Sequence, residues 1–367
     1  MLIVNKTVNF AYKKIAKPYL FSKDPEWAHD KTLASARLLS NNSPVKWLMK
    51  RTMAYQSQNL NQIIDNIFFK NPIGLAAGWD KDGQAFQLMA SLGFGFAEVG
   101  SITKQPYQGN DYPRLTRLPQ SKSIVVNYGL KNDGVDKILP RIQHTRSEIP
   151  IGTNIAMTNS NDCLTDDLAV QDYSYSFNKL KNIGDYFTIN ISCPNTFGGQ
   201  PFHEPKRLGL LLSELYKIKT KKPIYLKISP DISQKNIQAI VDLAYKYNID
   251  GFICGNLTKN RKLPNIYETV LPQNGGLSGA VVKELSNKQI STIYKLIKND
   301  KTIIGLGGIF NAEDAWQKIG LGANLVQLIT GLIYEGPGII GQINKGLAGN
   351  LKKHGFKNIQ EARGFLQ

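Results

Sequence analysis

Cysteine, histidine and acidic side chains are all sparse in this chain, with 3 Cys, 4 His and 28 Asp and Glu in 367 residues. Cys163, Cys193 and Cys254 are too few and too scattered for a disulfide framework, and no Cys-x-x-Cys or Cys/His spacing suggests a metal site. The chain therefore reads as a reduced, intracellular protein. No apolar run in residues 1–55 approaches the ~18–20 residues needed to span a bilayer. The start, with Lys6, Lys13, Lys14 and Lys17, also lacks the apolar core and small-residue cleavage site of a signal peptide. No low-complexity linker divides the chain.

Basic residues, by contrast, are abundant: 45 Lys and Arg give a formal charge of +17. Such an excess points to nucleic acid, anionic lipid or an anionic substrate, or simply to solvated helix faces. Residues 1–55 carry ten Lys and Arg against three Asp and Glu. This preamble is helical in pattern, and Asp24 followed by Pro25 marks the start of its second helix. Trp27, Leu33, Leu38, Leu39, Trp47, Leu48 and Met49, with Lys46, Lys50 and Arg51 nearby, suit either packing on a core or lying on an anionic membrane.

From about Asn71 onward, short apolar segments alternate with helical periodicity. Strands are expected at Ile73–Gly78, Phe96–Ser101, Ile151–Ala156, Tyr186–Ser192, Ile224–Ser229, Gly251–Asn256, Thr302–Gly308 and Asn324–Thr330. Each is nearly continuously apolar, as parallel strands covered on both faces should be. Helices are expected at Gln84–Ser91, Val135–His144, Val170–Asn182, Pro205–Lys219, Ser233–Tyr247, Val281–Lys298, Ala312–Ile319 and from about Pro337. Eight βα units in series imply an α/β fold, a closed (β/α)₈ TIM barrel, with a hairpin inserted at 108–127, although the alternation alone would also fit a doubly wound sheet. The expected organisation is a helical extension at 1–55, the barrel at 56–350 and a tail at 351–367.

Barrel enzymes carry their reactive groups at the C-terminal strand ends. Those ends bring Lys81, Asn154, Asn190, Cys193, Asn195, Lys227 and Asn256 to one rim, and the four histidines avoid them. No paired carboxylates are there, which argues against a glycosidase pair, a Ser-His-Asp triad or a metal hydrolase. Carboxamides donate and accept at once, matching the imide edges of flavin and pyrimidine rings. A lysine beside such a ring stabilises developing negative charge. Glycines around the last strands, Gly275-Gly276, Gly279, Gly307-Gly308 and Gly331, suit phosphate. Cys163 and Cys254 read as small core hydrophobes. Cys193, flanked by Ser192 and Pro194 at a strand end, reads as a proton-abstracting thiolate, since a reference thiol pKa of ~8.5 leaves a usable fraction near neutrality. Thr196–Gln200 reads as a mobile lid.

These residues resemble a known family. NISCPNT is similar to the active-site segment of dihydroorotate dehydrogenases, and GLAAGWDKDG to their first-strand motif. GNDYPRLTRL, YLKISPD, NGGLSG, IIGLGGI and GANLVQLITG match further segments in order, while DPEWAH and the preamble resemble the quinone-reducing, membrane-associated class 2. The resemblance implies FMN as cofactor and (S)-dihydroorotate as substrate, with electrons passed to quinone entering between the N-terminal helices. Cys193 would take the C5 proton. Lys81, Asn127, Tyr128, Gly129, Leu130, Asn190, Asn195, Asn256 and Leu257 would hold dihydroorotate or orotate. Ala77, Gly78, Lys81, Ser101, Asn154, Asn190, Lys227, Gly255, Gly279, Gly308, Ile329 and Thr330 would contact FMN. A monomer at the cytoplasmic face of the cell membrane is expected, with no nucleic-acid partner.

The chain departs from the family pattern at four places. Cysteine stands where class 2 carries a serine base. An Asn-Arg-(Met/Tyr)-Gly-Phe segment reads Val126-Asn127-Tyr128-Gly129-Leu130, Thr-Asn-Thr reads Gly255-Asn256-Leu257, and Tyr-Ser reads Ile329-Thr330. Three other readings stay open: a class 1-like enzyme with another acceptor, an RNA-modifying flavoenzyme resembling dihydrouridine synthases, and a membrane-peripheral protein with a vestigial barrel.

Overall fold

In the computed structural model, residues 2–197 and 199–367 are described. Gly198, within the expected lid, and the Lys6 side chain lie outside the described residues. The preamble folds as helix α1 (Leu2–Ala11), a π-helical turn at Tyr12–Ala16, then α2 (Lys17–Phe21), α3 (Pro25–Ser40) and α4 (Ser43–Met53). Asp24 caps α3 as expected, its carboxylate accepting the Trp27 N–H at 2.9 Å. A hairpin the sequence did not announce, β1 (Gln62–Ile64) and β2 (Ile67–Phe69), comes next. Its Ile64 and Phe69 plug the barrel floor against Phe96, Tyr186, Tyr225, Ile304 and Leu325.

The remaining elements follow in chain order: β3 (Ile73–Leu75), β4 (Phe96–Ile102), β5 (Leu115–Leu118), β6 (Ser123–Val126), α5 (Val135–Ile142), β7 (Ile151–Ile155), α6 (Asp166–Leu180) and β8 (Tyr186–Asn190). Then come α7 (Pro205–Lys217), β9 (Ile224–Ile228), α8 (Gln234–Lys246), β10 (Gly251–Cys254), β11 (Gly276–Gly279), α9 (Lys283–Ile297) and β12 (Thr302–Leu306). The chain finishes with α10 (Ala312–Gly320), β13 (Leu325–Leu328), α11 (Thr330–Glu335) and α12 (Ile339–His354).

All eight expected strands pair in parallel and close in the order β3-β4-β7-β8-β9-β10-β12-β13. The architecture is the expected (β/α)₈ barrel, and its closure rules out a doubly wound sheet. Helix faces follow their apolar period; in α8, Ile237, Ile240, Val241 and Ala244 are buried and Ser233 caps the start. The insertion at 108–127 is the hairpin β5–β6, and β11 joins it to make a three-stranded antiparallel sheet over the rim.

Four expectations need correction. Gln84–Ser91 is not a helix but a 3₁₀ turn at Phe86–Leu88 among other turns. The Asp80 carboxylate takes the Gln84 and Ala85 N–H groups at 2.7 and 2.8 Å, fixing the chain in a tight loop that buries Phe86, Leu88 and Met89. Gly276–Gly279, expected as a phosphate loop, is strand β11. Most barrel strands also stop short of their apolar runs, and after β3, β10 and β12 glycines with positive φ, Gly78 (112°), Gly255 (126°) and Gly307 (110°), turn the chain into rim loops. The residues read as a tail begin inside α12, and Ile359 and Ala362 are fully buried beyond it.

The helical cap is tied to the barrel by Glu26 of α3. Its buried carboxylate accepts from Arg114 at 3.1 Å and Lys131 at 3.0 Å. Removing one partner of a buried pair costs about 3 kcal/mol or more. Glu26→Gln is therefore expected to speed amide hydrogen exchange in α3 by about two orders of magnitude while α8 is unchanged. Unaltered exchange in α3 would show that this ion pair does not hold the cap.

Candidate active site

One cavity of about 580 Å³ joins the rim to the interior of the helical cap. Of the residues singled out in the sequence, Ala77, Gly78, Lys81, Ser101, Tyr128, Gly129, Leu130, Asn190, Cys193, Asn195, Lys227, Asn256, Leu257, Gly279, Gly308, Ile329 and Thr330 all line it. The cap end is mostly apolar, with Leu20, Phe21, Ala28, Ala36, Leu39 and Met49 beside Tyr12 and His29.

The polar rim stands on a chain of buried hydrogen bonds. Glu98 of β4 points into the barrel and is fully buried; its carboxylate accepts from Thr188 and Gln327 at 2.9 Å and from the Asn154 carboxamide at 2.9 Å. Asn154 in turn accepts the Ser101 hydroxyl at 2.5 Å, and Ser101 accepts the Asn190 N–H at 2.9 Å. Asn190 accepts from the Ser192 hydroxyl at 3.0 Å, and Ser192 accepts the Asn256 N–H at 2.7 Å. Each carboxamide orientation is thus dictated by the one below it. Lys227, nearly buried in the adjoining barrel wall, has its ammonium disfavoured by burial and favoured by Glu98.

Among the described residues, two that line the cavity keep buried polar atoms without a protein partner. These are the Asn195 Oδ1, whose amide donates to the Val126 carbonyl at 2.7 Å, and the Tyr128 hydroxyl. Free buried polar atoms of this kind signal a missing partner. Burial pulls the Lys81 ammonium down to about 8, with Asp82 acting against it. Its Nζ lies 4.1 Å from the centre of the Tyr128 ring. At the other end Gly279 and Gly308 hold φ of 100° and 70°. A Cβ would meet the Lys122 carbonyl at 2.6 Å in the first and the Lys283 Cβ at 2.4 Å in the second. The Ser278 and Thr330 hydroxyls meet there at 3.0 Å. This narrow, hydroxyl-bearing end suits an anionic group.

Three expected positions are not brought to the cavity wall. Asn154 lies one layer beneath it, supporting Ser101. Asn127 accepts from Asn110 at 3.1 Å, while its neighbour Val126 takes the wall position. Gly255 sits where a Cβ would strike the Leu306 carbonyl at 2.1 Å. Cys193 lines the cavity, but burial pushes its thiol up to about 11, with the Asn195 backbone N–H, Lys227 and Lys259 only partly opposing this. The expectation of an appreciable thiolate fraction near neutrality is corrected for the free protein. Sequence reasoning missed Glu98, which ends in no motif, and His29, whose Nε2 stands 3.1 Å from Lys81 Nζ. The periodicity of α3 could have placed His29 on the barrel-facing side, one turn from Glu26. In the expected lid, the Phe197 N–H donates to Asn159 at 2.6 Å and the Gln200 amide to the Ser192 carbonyl at 2.9 Å.

Amides stacked in fixed orientations, two buried ammonium groups and an anion-binding end form a slot for a planar imide ring with a charged tail. That is the equipment of a flavin-dependent barrel oxidoreductase. The chain belongs to the dihydroorotate dehydrogenase family, whose model matches residues 59–351. It is 38% identical over 373 residues to dihydroorotate dehydrogenase (quinone) of Trichodesmium erythraeum, covering 96% of this chain and 98% of that one. With the Nostoc punctiforme protein of the same description it shares 39% over 370 residues, covering 96% and 97%. A ligand-free DHODH crystal structure from Eimeria tenella superposes with a TM-score of 0.81 at 29% identity, covering 93% of this chain and 99% of that one. The same enzyme in complex with ferulenol gives 0.80 at 28%, covering 93% and 95%.

The raised thiol gives a direct test. Alkylation of Cys193 by iodoacetamide in the ligand-free protein is expected to climb about tenfold per pH unit from 7 to 10, because only the thiolate reacts. Lys227→Met should slow it several-fold at pH 9, since the ammonium favours the thiolate. A rate that levels off near pH 8.5 would contradict this picture of the site.

Proposed function

We propose that the chain oxidises (S)-dihydroorotate to orotate in pyrimidine biosynthesis, with FMN as cofactor and a quinone as electron acceptor. The observation that carries this reading is the single cavity linking the Cys193 and Lys81 rim to the apolar interior of the cap. Substrate and acceptor can use opposite ends of one enclosed space. The names of the relatives, dihydroorotate dehydrogenase (quinone), support the same substrate and acceptor.

The residues present fit FMN. The glycine-lined end, with the Ser278 and Thr330 hydroxyls beside it, is the feature that asks for such a group. Ala77, Gly78, Ser101, Asn190, Lys227, Gly279, Gly308 and Thr330 would hold it, with Asn154 bracing Ser101 from beneath. When bound, FMN supplies a two-electron acceptor that the protein side chains themselves lack. Lys227 stabilises negative charge beside the ring, and Lys81 neutralises the substrate carboxylate. Asn190, Asn195 and Asn256 orient the substrate ring, the first and last with geometry inherited from the Glu98 network and Asn195 held by the Val126 carbonyl. Cys193 removes the C5 proton. Val126, Leu130 and Leu257 close the site with apolar surface, expelling water around the reacting carbons.

Cys193→Ala is expected to lower dihydroorotate oxidation by about 10²–10⁴-fold while flavin stays bound. Cys193→Ser should retain part of the activity with its optimum at higher pH, since an alcohol is the weaker acid. Wild-type turnover should rise with pH between 7 and 9, since the small thiolate fraction of Cys193 grows across that whole range. Undiminished turnover in the alanine variant would remove Cys193 from the proton transfer.

We further propose that residues 1–55 bind the anionic cytoplasmic face of the cell membrane. Among the described residues no helix is long and apolar enough to cross a bilayer. The cap nonetheless exposes Phe10, Ile15, Leu38, Trp47 and Leu48 beside Lys13, Lys14, Lys31, Lys46 and Arg51. Sedimentation with anionic liposomes should fall about tenfold in a Trp47→Ser, Leu48→Ser variant and weaken with salt. Equal sedimentation of variant and wild type would contradict interfacial binding.

A further inference from the structure

Helix α3 reaches the rim through two residues one turn apart. Glu26 grips Arg114 and Lys131, and His29 meets Lys81, with Nε2 and Nζ 3.1 Å apart. The imidazole is itself wedged edge-on against Trp79, ring centres 6.4 Å apart at 88°, and beside Tyr128 at 6.3 Å. Burial, then Lys81 and Lys131, drive His29 well below its ordinary pKa, so the ring is neutral at working pH. A neutral imidazole this close to an ammonium acts as acceptor through Nε2, with its proton on Nδ1. Among the described residues no carboxylate lies within ion-pair distance of Lys81. Asp82 on its own loop and Asp30 and Glu26 on α3 attract the ammonium from further away, and Lys131 repels it. These more distant charges set how strongly Lys81 is charged but hardly constrain its direction. The imidazole and the Tyr128 ring do.

We infer that His29 is a positioning residue for Lys81: its Nε2 holds the ammonium over the Tyr128 ring, so that the seating of α3 sets the geometry with which Lys81 meets the substrate. This rests on the reading of the rim as the dihydroorotate and flavin site. It also gives the cap a second role, since the helix that walls the acceptor end of the cavity orients a group at the substrate end. An imidazole in direct contact does this with less freedom than a flexible carboxylate would, because the ring is fixed by aromatic packing on two sides.

Two readouts on full-length protein test it. In the first, an amine-acylating reagent is applied across pH and Lys81 modification is followed by mass spectrometry, without substrate. The wild-type midpoint should lie at about 8. His29→Leu removes the acceptor and should move it to lower pH, whereas His29→Gln, which still accepts, should leave it near the wild-type value. His29→Asn, polar but too short to reach, should behave like leucine and serves if the leucine variant does not fold. In the second, the dihydroorotate dependence of anaerobic flavin reduction is measured in the holoenzyme. His29→Leu should weaken substrate binding about tenfold, the scale of one lost charge-assisted hydrogen bond, with glutamine restoring most of it. In a Lys81→Met background His29→Leu should add nothing. An unmoved Lys81 midpoint in both the leucine and asparagine variants, or a full additional loss in the Lys81→Met background, would overturn the assignment. Failure of dihydroorotate to reduce the wild-type flavin would instead refute the functional reading, leaving the lysine titration to decide the role of His29.

Discussion

A single buried carboxylate organises this molecule. Glu98 sits in a barrel interior that is otherwise packed with Phe96, Tyr186, Tyr225 and Ile304 near the floor. A charge there is tolerable only if its oxygens are saturated, and Thr188, Gln327 and Asn154 do so from three other strands. That requirement propagates upward. Asn154 must present its carbonyl to Ser101, Ser101 must accept from Asn190, and the rim carboxamides inherit fixed directions before any ligand arrives. Lys227 supplies the opposite charge in the same interior. The rim is thus pre-organised from below, at a conformational cost met when the barrel closes and not when substrate binds.

The other half of the site is built from outside. Helices of the cap close over the rim, and the glycine-permitted turns at Gly279 and Gly308 let the backbone approach where a side chain could not fit. Polar and apolar ends of the cavity are segregated because they come from different parts of the chain, the barrel strand ends and the preamble. A molecule that must accept electrons from one partner and deliver them to another of opposite polarity needs that division. Glu26 and His29 of α3 are where the two parts meet.

Much of the fold was legible because each parallel strand is covered on both faces and so leaves a nearly unbroken apolar run. The eight runs, the Asp24 cap and the inserted hairpin all follow from local pattern. Gln84–Ser91 did not, because Asp80, outside the segment, captures its backbone N–H groups and stops a helix that the side chains alone would favour. The floor hairpin was equally hidden, since strands of three residues are too short to show a period. For the candidate site, the strand-end rule gathered most of the wall but could not tell a wall residue from one a layer below. Asn154 differs from Asn190 only in which way a side chain points, while Asn127, drawn from the resemblance alone, follows the inserted hairpin and pairs with Asn110. The thiol of Cys193 was misjudged for a related reason, because its desolvation comes from walls assembled out of distant segments. Glu98 belongs to no motif, and His29, although it closes the DPEWAH segment, gains its role only from the lysine it meets.

The geometry serves one electron path, from dihydroorotate to a bound flavin and on to a quinone through a single cavity. Its most direct measurement is anaerobic mixing of flavin-loaded protein with dihydroorotate, following the flavin absorbance and the orotate formed, and then adding a short-chain quinone. Bleaching with one orotate per flavin, reversed by the quinone, is the predicted result. A flavin that stays oxidised, or a reduced flavin that the quinone leaves untouched, would contradict the account.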